Sequence, residues 1–378
     1  AVAERLVADV PLGIFLSGGI DSSLVTAIAC RHTDPARLKT FAIGFDDPAF
    51  DERSHAARVA HHLGCDHRER IVSADDLLAV VPEVFAAQDE PFGDPSIIPT
   101  TLLARFAREE VTVAIGGDGG DELLLGYPTF VAEEIIRRLS WLPGSVWRGS
   151  YAAAALLPAA DGHYPLEYKL KRFLRGASQP LPERHQTWIG GALPEALDAL
   201  MPHHSDPAER LRASLRLWGD ASGDDLARLT HVYAGTYLAA GVLQKVDRAS
   251  MSCSLEVRAP MLDHRFVTAA AACPNSLRVR GKATKIALRR LAEEQLPKEI
   301  VDRPKRGFGI PLARWLKGPL ADWSADLLAE GRMQRQGLVD PNTVTRLLDE
   351  HRRGRANHAK ILWNLCALSA FVEPEGVA

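Results

Sequence analysis

Ser17-Gly18-Gly19-Ile20-Asp21-Ser22-Ser23 stands between the apolar run Pro11-Leu12-Gly13-Ile14-Phe15-Leu16 and the segment Leu24-Val25-Thr26-Ala27-Ile28-Ala29-Cys30-Arg31. The flanks read as a strand and a helix, so the stretch itself is a tight glycine turn that opens a helix. Two adjacent glycines let a ligand approach the backbone closely, and the hydroxyls and unpaired N–H groups that follow suit an anion such as a phosphate. The stretch has neither the spacing and lysine of the common phosphate loop nor the G-x-G-x-x-G of dinucleotide folds. A Gly-Gly turn capped by Ser and Asp is common by itself. Its place between a strand and a helix favours a binding turn.

Outward from this turn, short apolar runs recur at Leu12 to Leu16, Thr40 to Phe45, Arg70 to Val72 and Val111 to Ile115. Helical patterns at Glu52 to Leu63 and Thr100 to Arg108 lie between them, which predicts an α/β fold with a buried parallel sheet and flanking helices. Ligands of such sheets sit beyond the carboxyl ends of the strands, where the loops Ser17 to Ser23, Gly44 to Asp47 and Gly116 to Asp121 would converge. From about Val131 the strand signal fades, and a mainly helical lobe is expected over 131–372, after a nucleotide-binding core over 1–130. Asp206-Pro207 marks one helix start, with Leu211, Leu215 and Trp218 on its apolar face, and Ser222 with Asp225 marks another. Ala1 to Asp9 reads as an amphipathic helix. Lys169, Lys171, Arg172 and Arg175 read as a solvated helix face, and residues 139–202 yield little functional information.

A second constellation, Gly116-Gly117-Asp118-Gly119-Gly120-Asp121-Glu122, follows the run Val111 to Ile115. Glycines interleaved with acids have no packing rationale; they permit close approach of a ligand while the carboxylates hold Mg²⁺, which takes one or two protein carboxylates together with phosphate oxygens and water. The spacing is not that of a calcium-binding EF-hand loop.

The first turn resembles the pyrophosphate loop of the ATP pyrophosphatases, which cleave ATP between its α and β phosphates. Taken with Gly116 to Tyr127, Val246 to Met251, Glu256 to Asp263, Arg303-Pro304-Lys305-Arg306-Gly307-Phe308-Gly309-Ile310-Pro311 and Asn357-His358 to Trp363, it resembles the synthetase domain of glutamine-hydrolysing asparagine synthetases over nearly the whole chain. The resemblance implies an adenine-nucleotide-alpha-hydrolase-like fold of the ATP pyrophosphatase type. It implies that Asp21 and Asp121 bind the Mg²⁺ of Mg-ATP, and that Ser17, Gly18, Gly19, Ser22 and Ser23 hold the pyrophosphate. Leu16, Ile43, Gly116 and Gly117 match positions around the adenosine and α-phosphate. Lys305 matches a lysine that neutralises charge on the reacting phosphate, and Asp118 matches an acid at the acyl-adenylate, where most asparagine synthetases carry Glu. That shorter acid, with Leu124-Leu125 after it, looks more like the asparagine-synthetase-like amidotransferases of bacterial glycan or natural-product genes.

The activity so implied is ATP-dependent amidation of a carboxylate, by default the β-carboxylate of L-aspartate, with ammonia, giving asparagine, AMP and pyrophosphate. Amide closure within one molecule, as in β-lactam synthetases and lasso-peptide cyclases, is one alternative. A nucleotide-binding module without turnover is another. Glu256, Arg258 and Asp263 read equally as cleft residues or as a structural ion-pair network, with Asp263 a helix cap; Arg278, Arg280, Lys282 and Lys285 read either as lining the pyrophosphate exit or as facing solvent, with solvation favoured.

The bulk numbers narrow the choice. The chain has 378 residues, a net charge of −3 and 46% hydrophobic residues, so neither nucleic acid nor a membrane surface is an expected partner. Five scattered cysteines, Cys30, Cys65, Cys253, Cys273 and Cys366, suggest no disulfide framework and fit a reducing cytoplasm. Cys30 and Cys65 read as packing residues. The cysteine-initiated glutaminase domain of the complete family enzyme is not in this sequence, so free ammonia or a separate glutaminase domain or subunit is the expected nitrogen source. The oligomeric state is left open, a homodimer included.

Overall fold

A computed structural model describes residues 1–45, 47, 50–158, 165–203, 206–303 and 309–372. They divide into two compact units, each assembled from separated stretches of chain: Ala1–Leu77, Ser96–Ile135 and Ala221–Phe308 form the first, and Leu78–Pro95, Ile136–Asp220 and Gly309–Ala378 the second.

The first unit is built on five parallel strands: β1 (Leu12–Phe15), β2 (Lys39–Phe45), β3 (Asp66–Val72), β4 (Val113–Ile115) and β5 (Glu256–Arg258), in the order β3-β2-β1-β4-β5. The expected α/β parallel sheet is therefore present, with strand ends adjusted by a few residues. β5 was not legible. Three residues, two of them charged, carry no apolar run, yet they continue the sheet in register Val113↔Glu256 to Ile115↔Arg258. Arg258 bonds Glu256 at 2.7 Å and donates to the carbonyls of Arg5 and Val7, which favours the structural ion-pair reading of this stretch.

Helices fill both faces. Ile20–Ala29 buries Leu24, Val25 and Ala29 against Ile14, Leu16 and Ile115, and Arg53–Leu63 buries Ala56, Val59 and Ala60 in the same core. Arg53–Leu63 ends on Gly64 at φ 75°, a left-handed cap that suits glycine. Asp263 caps the helix His264–Ala272, accepting from the Arg265 amide at 3.0 Å as its sequence position predicts. Elsewhere the expectations shift. The first helix covers only Val2–Arg5 rather than Ala1 to Asp9. Asp224, not Ser222, caps Asp225–Tyr233, because its carboxylate reaches the Ala227 amide at 2.9 Å.

The second unit is helical in its described residues. Its longest helix, Ala359–Val372, buries Trp363, whose ring packs against Phe85 at 5.1 Å and Trp323 at 6.0 Å. Asp206 caps Pro207–Arg210 as expected, but that helix stops there and a separate one follows over Arg212–Asp220. Arg172 corrects the solvated-face reading of Leu166–Ala177: it is buried and donates to the carbonyls of Thr187, Gly190 and Gly191, while Lys169 is exposed. Among the described residues no helix is long and apolar enough to cross a membrane.

Candidate active site

The chain runs from β1 outward through β2 to β3 and then returns to β4 on the other side of β1. Ligands of open parallel sheets bind at such a reversal, beyond the carboxyl ends of the strands. Both glycine-rich turns leave the sheet there, one after β1 and one after β4.

The first turn is held by its own hydroxyls. Ser17 Oγ and Ser22 Oγ lie 3.0 Å apart, the Gly19 amide donates to Ser17 Oγ at 3.2 Å, and Ser22 Oγ donates to the Gly19 carbonyl at 3.2 Å. Gly19 is the N-cap of Ile20–Ala29, and no side chain caps that helix, an arrangement whose first amides suit an anion. Ser23 is fully buried with its hydroxyl unpartnered. Leu16 and Ile43, at the ends of β1 and β2, are buried in the core.

The second turn lies against the first. A Cβ on Gly117 would stand 2.9 Å from the Ser22 amide nitrogen and 3.1 Å from Asp21 Cβ, closer than real side chains come. Glycine here is required by contact. The Asp118 carboxylate folds back over its own turn, with Oδ2 2.6 Å from where a Gly116 Cβ would sit. Glu122 is buried and accepts from the Tyr127 hydroxyl; burial pushes its carboxyl above the ordinary value and the Tyr127 phenol well above its own. Tyr127 in turn stacks on Tyr233 at 6.0 Å and meets the edge of Tyr237 at 5.4 Å, so the end of the turn is set in an aromatic cluster.

Asp21 and Asp121 come together on one cation that was read as solvated. Lys285 Nζ lies 2.5 Å from Asp21 Oδ2 and 2.6 Å from Asp121 Oδ1, with its side chain 4% exposed. Arg278 is likewise buried, donating to the Leu123 carbonyl at 2.8 Å, whereas Arg280 and Lys282 are exposed as expected. One signal for Lys285 was present in the sequence. Lys285, Leu288 and Ala292 share helical spacing, and the last two are core residues, so the lysine starts on the buried side of Ile286–Glu293. A second cation was also missed: Arg303 donates to the Ser17 carbonyl at 3.3 Å and pairs with Glu52. Lys305 lies outside the described residues.

The donor set fits Mg²⁺. Two carboxylates from neighbouring turns converge on one point, and Asp21 Oδ1 is buried with no hydrogen-bond partner. Mg²⁺ takes one or two protein carboxylates and completes its shell with phosphate oxygens and water.

A family model described as asparagine synthase matches residues 1–373. A Mycobacterium bovis protein named "Putative asparagine synthetase", glutamine-hydrolyzing, is 35% identical over 372 residues, covering 97% of this chain and 55% of the relative. Asparagine synthetase 1 of Bacillus subtilis, also named as glutamine-hydrolyzing, is 29% identical over 369 residues, covering 97% of this chain and 56% of the relative. An amidase of Penicillium rubens, chyE, is 23% identical, covering 93% of this chain and 56% of the relative. The chain thus spans about half the length of the curated relatives it matches.

Proposed function

The chain belongs to the asparagine synthase family, and from that premise we propose that it is an ATP-dependent, AMP-forming ligase that adenylates a carboxylate and passes the acyl group to ammonia. L-Aspartate is the default acid and asparagine the product. The observation that carries this reading is the meeting of Asp21 and Asp121 on one cation, beside an uncapped helix N-terminus, at the reversal of a parallel sheet.

In this reading the amides and hydroxyls of Ser17, Gly18, Gly19, Ser22 and Ser23 bind the β and γ phosphates of ATP, and the backbone at Leu16, Ile43, Gly116 and Gly117 borders the nucleoside and α-phosphate. Asp21 and Asp121 hold the Mg²⁺, which supplies charge neutralisation to the phosphates. A carboxylate oxygen of the acid attacks the α-phosphorus; the bond from the α-phosphorus to the bridging oxygen breaks, and pyrophosphate leaves. Lys305 compensates the charge that develops on the phosphorus, a role supported by Arg303, two residues earlier in the chain, lying against the Ser17 carbonyl. Lys285 is a second cation fixed at the same carboxylates. Asp118 orients ammonia or accepts its proton as the amide forms and AMP departs.

A specific observation favours a second reading. The acid at position 118 is Asp where most asparagine synthetases carry Glu, and a relative named as an amidase aligns over nearly the full chain. An acceptor acid on a glycan or natural-product precursor keeps the same adenylation. Nucleotide product analysis with Mg-ATP, L-aspartate and ammonium, each omitted in turn, tests both. AMP and pyrophosphate matched by asparagine are expected; AMP formed only with another acid would move the substrate, and no AMP with any acid would overturn the ligase reading.

A further inference from the structure

Cys30 and Cys65, 35 residues apart, bring their sulfurs to 3.4 Å. Both are half-buried. Their backbones are fixed: the Cys30 amide donates to the Thr26 carbonyl at 3.0 Å at the end of Ile20–Ala29, and the Cys65 amide donates to the Ala60 carbonyl at 2.9 Å, just past the left-handed cap Gly64. Ala29, Ala56 and Ala60 are fully buried around this corner, and their small side chains allow the two helices to approach. A disulfide needs sulfurs at about 2.05 Å, so closure must bring the two sulfurs nearer than their present 3.4 Å. The other half-buried cysteines direct their sulfurs elsewhere, Cys253 at the Ser250 carbonyl and Cys273 at the Pro274 carbonyl, and Cys366 is buried.

We propose that Cys30 and Cys65 are an oxidation site that closes into a reversible disulfide on reaction with a small-molecule disulfide such as oxidised glutathione, tying the end of Ile20–Ala29 to the turn that follows Arg53–Leu63. The first step breaks the sulfur–sulfur bond of the oxidant: the Cys30 thiolate attacks one sulfur, forms a mixed disulfide, and releases one glutathione as a thiol. In the second step Cys65 loses its proton to solvent and attacks the Cys30 sulfur, releasing the second glutathione. Two protein thiols are oxidised and one small disulfide is reduced. Cys30 is the attacking group, since hydrogen bonding from the Cys65 thiol holds it below the ordinary thiol value and raises Cys65. The helix so anchored is the one whose N-terminus carries Asp21, Ser22 and Ser23.

The test treats the full chain with oxidised glutathione under native conditions and maps its peptides without reduction. A Cys30–Cys65 linked peptide, lost on adding dithiothreitol, is expected, together with a melting temperature raised by roughly 5 °C. Cys65→Ser should stop at a glutathione adduct on Cys30, and Cys30→Ser should give no linked peptide; circular dichroism checks that both variants fold. An adduct on Cys30 of the native chain that persists without closing, or a linkage that forms only in denaturant, would overturn the proposal. Neither readout depends on ligase activity, and the native peptide map decides the matter even if a variant fails to fold.

Discussion

The turns after β1 and β4 occupy equivalent places on adjacent strands, and both are rich in glycine, yet only the first adds hydroxyl bonds among its own residues to the contacts that fasten it from outside. Ser17 to Ser23 is fastened by hydroxyl and amide bonds of 3.0–3.2 Å among its own residues, and from outside by Arg303 on the Ser17 carbonyl, Lys285 on Asp21 and the His55 backbone against Gly18. Gly116 to Glu122 is fastened from outside, by contact of Gly117 with the first turn, by the Tyr127 hydroxyl on Glu122 and by Arg278 on the Leu123 carbonyl. In the proposed site the hydroxyl bonds of the first turn would be exchanged for bonds to a phosphate, while the second turn would present its carboxylate already in place. Lys285 is where the two turns meet.

The hardest test of that division is removal of charge at the meeting point. Asp21→Asn and Asp121→Asn should each reduce AMP formation about 10³-fold or more at millimolar Mg²⁺, a loss of about 4 kcal/mol in transition-state stabilisation, with the fold retained. Product analysis by chromatography reads this directly. If one variant kept near-normal turnover, the two turns would not share an ion, and the pairing would be structural.

How far the site was legible follows from where its residues lie along the chain. Ser17, Asp21, Asp118 and Asp121 fall in two contiguous motifs, and a contiguous motif carries its own geometry: strand, glycine turn, helix. β5 belongs to no such motif, and Lys285 has only its helical spacing with Leu288 and Ala292. Glu256 and Arg258 look like surface residues until Val113 and Ile115 pair with them. Lys285 looks like one of a run of solvated cations, and its direction is set by a left-handed backbone at φ 51° and by the hairpin that pairs Val279 with Thr284. Cys30 and Cys65 were read separately as packing residues, since their approach depends on the way two helices end. What the sequence withheld was thus tertiary in origin.

Lys285→Met comes next in size. It leaves two partly buried carboxylates without their shared cation and should destabilise the protein by about 3 kcal/mol, measured by denaturant unfolding. Added Mg²⁺ should recover part of that loss in the variant and change the parent little. Equal responses to Mg²⁺ in both proteins would mean that Lys285 does not occupy the cation position.

A pair of glycine substitutions then separates the turns by what limits them. Gly117→Ala places a methyl within 2.9 Å of the Ser22 amide nitrogen, where only backbone could yield, and should cost about 1–3 kcal/mol of stability with a loss of activity. Gly19→Ala meets only the Ser17 hydroxyl at 3.2 Å, which can rotate, and should cost less than about 1 kcal/mol. Thermal unfolding of the two variants gives the order, and a reversal would show that the first turn is the more rigid of the two.

The smallest effect should come from Ser17→Ala. Its hydroxyl joins Ser22 Oγ and the Gly19 amide by bonds of 3.0 and 3.2 Å on an exposed turn, where water replaces a lost partner, so stability should fall by no more than about 1 kcal/mol. If the hydroxyl is instead a donor held for phosphate, the apparent affinity for ATP should weaken by a larger factor, about tenfold, because a hydrogen bond to a charged group is worth about twice a neutral one. Measuring unfolding and the KM for ATP on the same variant separates the two. A stability loss that exceeded the loss in ATP affinity would mean that the first turn, like the second, is built to stand still, and the contrast between them would fail.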